Sequence, residues 1–156
     1  MKVSNRTEYG LRALVCLAKL SNGSPVPLRV IAENEDISEQ FLDQIFLTLR
    51  RAQLVRSIRG ANGGYMLERE PKDITMGEVV RTLEGSISPM ACATEDMPEN
   101  FCSRSQFCDT RSVWAKLAES MARALDGISL ADVLNDTQGP KAARNFENEL
   151  PIIIQE

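Results

Sequence analysis

The sequence predicts a mainly α-helical fold carrying one small β-hairpin, on three observations. Apolar residues recur at helical spacing in several segments. Two of those segments are joined by a turn of only a few residues, and a glycine-rich hairpin, Arg59-Gly60-Ala61-Asn62-Gly63-Gly64, follows the second.

Taken in order, Thr7 or Asn5 is expected to cap a first helix running to about Leu20, with Leu11, Leu14, Val15 and Ala18 as its apolar stripe. Ser21-Asn22-Gly23-Ser24-Pro25 ends it. A short helix from Leu28 to about Asn34 leads through the tight turn Glu35-Asp36-Ile37 to Ser38, which caps a helix from Glu39 to about Arg51. The buried face of that helix is expected to be Phe41, Leu42, Ile45, Phe46 and Leu49. Val55 to Ile58 and Tyr65 to Leu67 read as the two strands of the hairpin, whose glycines allow positive φ. Thr75-Met76-Gly77-Glu78 has the form of a capping box opening a helix to about Leu83. After an irregular stretch, 86–110, comes a longer helix from Thr110 to about Leu125, with Val113, Trp114, Leu117, Met121 and Leu125 on one side. Ser129 caps a last short helix to Leu134, and the tail beyond is expected to be flexible, its apolar run Leu150-Pro151-Ile152-Ile153-Ile154 unassigned.

Two helices joined by a tight turn, then a hairpin with an arginine at its tip, make a winged helix-turn-helix. Composition supports a polyanion-binding face on one half of the chain. Residues 1–72 carry 11 Lys and Arg against 8 Asp and Glu, whereas residues 73–156 carry 7 against 14. Between Gln44 and Leu67 stand Arg50, Arg51, Arg56 and Arg59 with no acid among them. No apolar run is long enough to span a membrane and no secretory leader is recognisable, so a cytoplasmic location is expected. With no histidine, no nucleophile–histidine constellation and no nucleotide-binding glycine loop, no enzyme activity is expected.

Cys92, Cys102 and Cys108 fall in one acidic stretch, with nine and then five residues between them. Three soft thiolates in a loop can converge on one centre, an iron–sulfur cluster or zinc, and metal-free redox thiols are the alternative. Because the chain has no histidine, a fourth ligand would have to be a carboxylate, a distant thiol or an atom of another subunit. Cys16, among Leu14, Val15 and Leu17, is expected to be a buried thiol.

Four stretches carry a resemblance: Tyr9-Gly10-Leu11-Arg12-Ala13-Leu14, Ile37-Ser38-x-x-Phe41-Leu42-x-Gln44-Ile45, Leu49-Arg50-Arg51-Ala52-x-Leu54-Val55 and Ser57-Ile58-Arg59-Gly60-x-x-Gly63-Gly64-Tyr65. From Met1 to about Leu134 the chain resembles the iron–sulfur cluster regulator family of winged-helix transcription factors. The resemblance implies a homodimeric regulator, with the helix at 110–125 as dimerisation helix and a cluster on Cys92, Cys102 and Cys108, 2Fe–2S favoured over 4Fe–4S. One branch takes a fourth ligand from a histidine three residues after the last cysteine, and Arg111 stands there in this chain. The stretch around Glu8 is closer to the nitric-oxide-sensing branch, which implies that Glu8 reaches the cluster of the other subunit. Gly85-x-Ile87-Ser88-Pro89 is closer to a cluster-free branch controlled by a protein partner or thiol oxidation.

The expected organisation is a DNA-binding domain over 1–84, a cysteine-bearing loop over 85–109, a dimerisation helix with a short C-terminal helix over 110–134, and the tail over 135–156. On DNA, Ser38 and Gln40 are placed to reach base edges, Gln40 suiting adenine and Asp43 cytosine. Arg50, Arg51 and Arg56 suit phosphates, and Arg59 at the tip suits a minor groove. A two-fold dimer implies a near-palindromic operator.

Overall fold

The computed structural model describes residues 3–94, 102 and 107–136. Its elements are α1 (Asn5–Leu20), α2 (Leu28–Glu35), α3 (Glu39–Arg51), β1 (Val55–Ile58), β2 (Gly64–Leu67), α4 (Met76–Glu84), α5 (Arg111–Asp126) and α6 (Leu130–Asp136), with single 3₁₀ turns at Pro71–Asp73 and Ala91–Ala93. Helices carry the fold, and β1 and β2 form one antiparallel hairpin in which Val55 faces Leu67 and Ile58 faces Gly64.

The first helix begins one residue earlier than its composition suggests. Its N-cap is Ser4, extended at φ −73° and ψ 154°, whose side chain accepts from the Thr7 amide. Asn5 and Thr7 therefore lie inside the helix. The Thr7 hydroxyl donates instead to Glu84 at the end of α4, which also accepts from the Ser4 hydroxyl at 2.6 Å. These hydrogen bonds, from Ser4 first and Thr7 next, hold the Glu84 carboxyl below the usual carboxylate range. A carboxylate is thus set against the positive end of α1.

The turn between α2 and α3 is fixed by α1. Asp36 takes the left-handed conformation at φ 53°, which aspartate tolerates better than most residues, and the Ile37 amide returns to the Ala32 carbonyl at 3.0 Å. Arg12 donates through Nη2 to the Glu35 carbonyl at 2.6 Å and through Nε to the Glu35 carboxylate at 3.0 Å. A cation there satisfies a terminal carbonyl of α2 and favours its negative end. Ser38 then caps α3, accepting from the Phe41 amide.

The apolar side of α3 is narrower than the sequence pattern suggests. Leu42, Ile45, Phe46 and Leu49 are fully buried, but Phe41 is 36% exposed. Phe41 lies at the edge of the stripe and packs edge-on against Tyr9, ring centres 5.9 Å apart. The helix ends in a Schellman motif: the Leu54 amide bonds to the Leu49 carbonyl and the Gln53 amide to the Arg50 carbonyl, both at 3.0 Å. Gln53 holds the left-handed position, φ 56°, usually given to glycine. Gln53→Gly is expected to raise stability by about 0.5–1 kcal/mol, visible as a thermal midpoint a few degrees higher.

In the hairpin, only Gly60 uses positive φ, at 117°. Gly64 is required for room: a methyl group there would run into the Val26 carbonyl, with which β2 makes an extra two-bond bridge. The Val26 amide donates to Tyr65 at 2.9 Å and the Tyr65 amide to Val26 at 2.8 Å.

One core joins α1, α2, α3, α4 and α6, with Leu14, Leu17, Ile31, Phe46, Leu54, Ile74, Val79 and Leu130 fully buried. Thr75 caps α4 by accepting from the Glu78 amide, but the box is half-closed, since the Glu78 carboxylate pairs with Arg69 at 2.6 Å. Backbone bonds from Met76 to Ile128 and from Leu130 to Ile74, both 2.8 Å, draw α6 onto the start of α4. Arg81 grips Asp126 at the end of α5 through two hydrogen bonds of 2.6 and 2.8 Å, which hold the Asp126 carboxyl below its usual range. Along α5 only Ala118 is buried; Trp114, Met121 and Leu125 are half-buried, and Val113 and Leu117 are 58% and 42% exposed. Among the described residues, no helix is long and apolar enough to cross a membrane. The apolar run at 150–154 lies outside the described residues.

Candidate nucleic-acid interface and cysteine segment

The solvent face of α3 presents Gln40, Asp43 and Gln44, one helical turn of side chains, with Arg51 a further two turns along. Ser38 stands at its N-terminal end. Its hydroxyl oxygen is used as the cap acceptor, which leaves the hydroxyl proton free to donate. Gln40, Asp43, Arg50 and Arg51 are all exposed.

The hairpin lies beside this face. Tyr65 packs against Phe46 with ring centres 4.8 Å apart, and burial raises the Tyr65 phenol above its ordinary pKa. Arg50 reaches from the last turn of α3 to the Ser57 hydroxyl of β1 at 3.2 Å, linking helix and hairpin on the side where Asp43 also approaches Tyr65. Arg56 lies 4.0 Å from the Met66 sulfur, and among the described residues it forms no ion pair with an acid. Arg59 sits in the exposed tip beside Gly60. Of the four arginines expected from the sequence, Arg50 is tied to β1 through Ser57, Arg51 ends α3, and Arg56 and Arg59 belong to β1 and the tip that follows it.

Sequence reading missed Arg6, whose Nη2 donates to the Thr48 hydroxyl of α3 at 2.6 Å. It also missed Glu84, which ties α4 to α1, and Arg81, which ties α4 to α5. Each partner is more than 40 residues away in sequence, so no local spacing announces it.

Of the four cysteines, Cys16 is buried in α1, and Cys92, Cys102 and Cys108 are half-buried; none is in a disulfide. Burial raises the Cys16 thiol pKa, with the nearby Glu35 carboxylate adding to it, so the thiolate is disfavoured there. Cys92 lies in the 3₁₀ turn Ala91–Ala93, which packs against α5. Cys108 precedes α5, its carbonyl accepting from the Arg111 amide and its sulfur 3.4 Å from the Thr110 hydroxyl. Glu8 is exposed in the first turn of α1. Among the described residues, no three cysteine or acidic side chains stand together as a site for one metal ion. Residues 95–101 and 103–106, between the thiols, lie outside the described residues. The three thiols are outside any disulfide, partly accessible and soft, which is the donor chemistry that iron–sulfur clusters take.

Between α4, α5 and the segment leaving α4 is a cavity of about 430 Å³ lined by Arg81, Ile87, Ala93, Ala118, Glu119 and Ala122 among others. It lies beside the turn that carries Cys92.

Similar folds and sequences are known. The chain is 37% identical over 146 residues to the HTH-type transcriptional regulator CymR of Bacillus subtilis, covering 94% of this chain and 99% of that protein. The solved structure of CymR, the global cysteine regulator of B. subtilis, superposes with a TM-score of 0.71, covering 88% of this chain and 98% of that one. The structure of T. potens IscR superposes equally well, TM-score 0.71, at 39% identity over 93% of this chain and 96% of that one. The family model described as Rrf2, iron-dependent transcriptional regulator, matches residues 3–136. With its helix-turn-helix, its hairpin and these relatives over nearly its whole length, the chain belongs to the Rrf2 family of winged-helix transcriptional regulators.

Proposed function

We propose that this chain is a homodimeric repressor that binds a near-palindromic operator and senses iron, redox state or nitric oxide through a labile iron–sulfur cluster. The observation that carries the DNA half is the exposed polar face of α3, flanked by a hairpin bearing Arg56 and Arg59. In this reading Ser38, Gln40 and Asp43 meet base edges, Arg50, Arg51 and Arg56 meet phosphates, and Arg59 enters the minor groove. The half-exposed Val113 and Leu117 on α5 belong to the contact between protomers.

The observation that supports the sensing half is three half-buried thiols, none in a disulfide, in the segment between α4 and α5. Cys92, Cys102 and Cys108 would hold the cluster, with Glu8 of the partner subunit as fourth ligand. A bound cluster supplies a redox- and nitric-oxide-sensitive centre to that segment. A hard carboxylate such as Glu8 in the fourth position would exchange more readily than a thiolate, which would suit a sensor.

The stretch Gly85-x-Ile87-Ser88-Pro89 and the likeness to CymR of Bacillus subtilis support a second reading, a cluster-free repressor controlled by a protein partner or by thiol oxidation. Anaerobic purification decides between them. The cluster reading expects a coloured protein with iron, acid-labile sulfide and a paramagnetic signal on reduction, and DNA affinity that changes when the cluster is removed. A colourless protein without iron or sulfide sinks it and leaves the second reading. Separately, Arg59→Ala is expected to weaken DNA binding by roughly tenfold while leaving the cluster spectrum unchanged. Equal affinity of the two proteins at moderate salt refutes the contact made by the tip.

A further inference from the structure

A helix lying in a major groove has a phosphate strand on each side of it. The two edges of α3 are equipped differently. Along one edge Arg50 joins β1 through Ser57, and the hairpin adds Arg56 and Arg59. Along the other edge Phe41 and Thr48 face α1, touching Tyr9 and Arg6.

On that second edge Arg6 is the cation fixed against α3. It is exposed, and its Nη2 donates to Thr48 Oγ1 at 2.6 Å. The Thr48 hydroxyl in turn donates to the Gln44 carbonyl at 3.1 Å, so the acceptor is itself held. Among the described residues no carboxylate pairs with Arg6. One guanidinium nitrogen is engaged, and the other N–H donors remain for a ligand. A long side chain anchored in this way loses less conformational freedom when it binds.

We propose that Arg6 contacts DNA phosphate on the α1 edge of the recognition helix and that Thr48 is its positioning residue. The DNA face then extends onto α1, and α3 is gripped from both edges. The inference rests on the DNA-face reading given above.

Phosphate contacts are independent of sequence, so the test needs no operator. The full chain is titrated with a fluorescent mixed-sequence duplex about three helical turns long, across a salt series. Arg6→Gln is expected to lower affinity about three- to tenfold and to reduce the slope of log K against log salt by about one per protomer. Arg6→Lys is expected to keep the slope. Thr48→Val, which retains the cation and frees it, is expected to lose about twofold or more with the slope unchanged, and Thr48→Ser to restore the loss. A purely structural tie between α1 and α3 would shift thermal stability and leave the salt slope alone. Unchanged affinity and slope in Arg6→Gln, with Arg59→Ala weakened, overturns the Arg6 contact alone. If neither variant differs from the parent chain, the DNA-face reading falls with it.

Discussion

Phe46→Ala is expected to cost about 3–5 kcal/mol of folding stability, against a total of roughly 5–15 kcal/mol for a domain of ordinary size. The phenyl ring is fully buried in α3 and rests against Tyr65 of β2. Its loss removes apolar burial, leaves a cavity and takes away the contact that seats the hairpin beside α3. Urea or thermal unfolding measures the loss, expected as a midpoint lower by roughly 10 °C. The same truncation at Phe41, five residues earlier and 36% exposed, is expected to cost about 1 kcal/mol, mostly the edge contact with Tyr9. Equal losses at the two positions would mean that Phe41 is core, as its spacing alone suggested.

In the proposed cluster reading, Cys108→Ala is expected to reduce iron and acid-labile sulfide in anaerobically prepared protein by about tenfold or more, because loss of a ligand would exceed the usual cost of losing an outer-shell partner. Glu8→Ala is expected to behave differently. It should still acquire the chromophore, lose it several times faster to a chelator, and change the ratio of affinities with and without the cluster. Iron analysis and the decay of visible absorbance separate the two variants. Unchanged decay in Glu8→Ala removes Glu8 from the site and leaves it as an acid in the first turn of α1, stabilised by the helix dipole. Full iron retention in Cys108→Ala removes the thiol and refers the protein to the cluster-free reading.

Where a feature depends on neighbours in sequence, it was legible before the structure. The limits of α3, its Ser38 cap, strand β1 and the position of Arg59 all follow from local spacing. What escaped depends on partners far along the chain. Ser4, Asn5 and Thr7 all suit an N-cap; Glu84, which bonds both Ser4 and Thr7, lies beyond any local pattern. Gly63 and Gly64 read as conformational glycines, but Gly64 is there because Val26 comes close. Leu130 lies in the shared core, which the short helix around it did not announce. In the cysteine segment the residue types were legible and their convergence was not, since the spacing fixes no regular element.

The bridge between Val26 and Tyr65 bears on how tolerant this protein is of its target. Strand β2 is stitched on one side to β1 and on the other to the loop before α2, so it cannot swing as a flap. The tip around Gly60 lies outside both sets of pairing. In the proposed contact with DNA, docking would therefore order a few residues instead of a whole hairpin, and the ordering cost would be correspondingly small. The same stiffness acts as a gauge. The distance from the tip to α3 is set before any duplex arrives, and a duplex whose grooves do not match must deform to fit. On the proposed DNA face, discrimination by groove width and bendability would thus come from the scaffold, alongside the base edges proposed for α3.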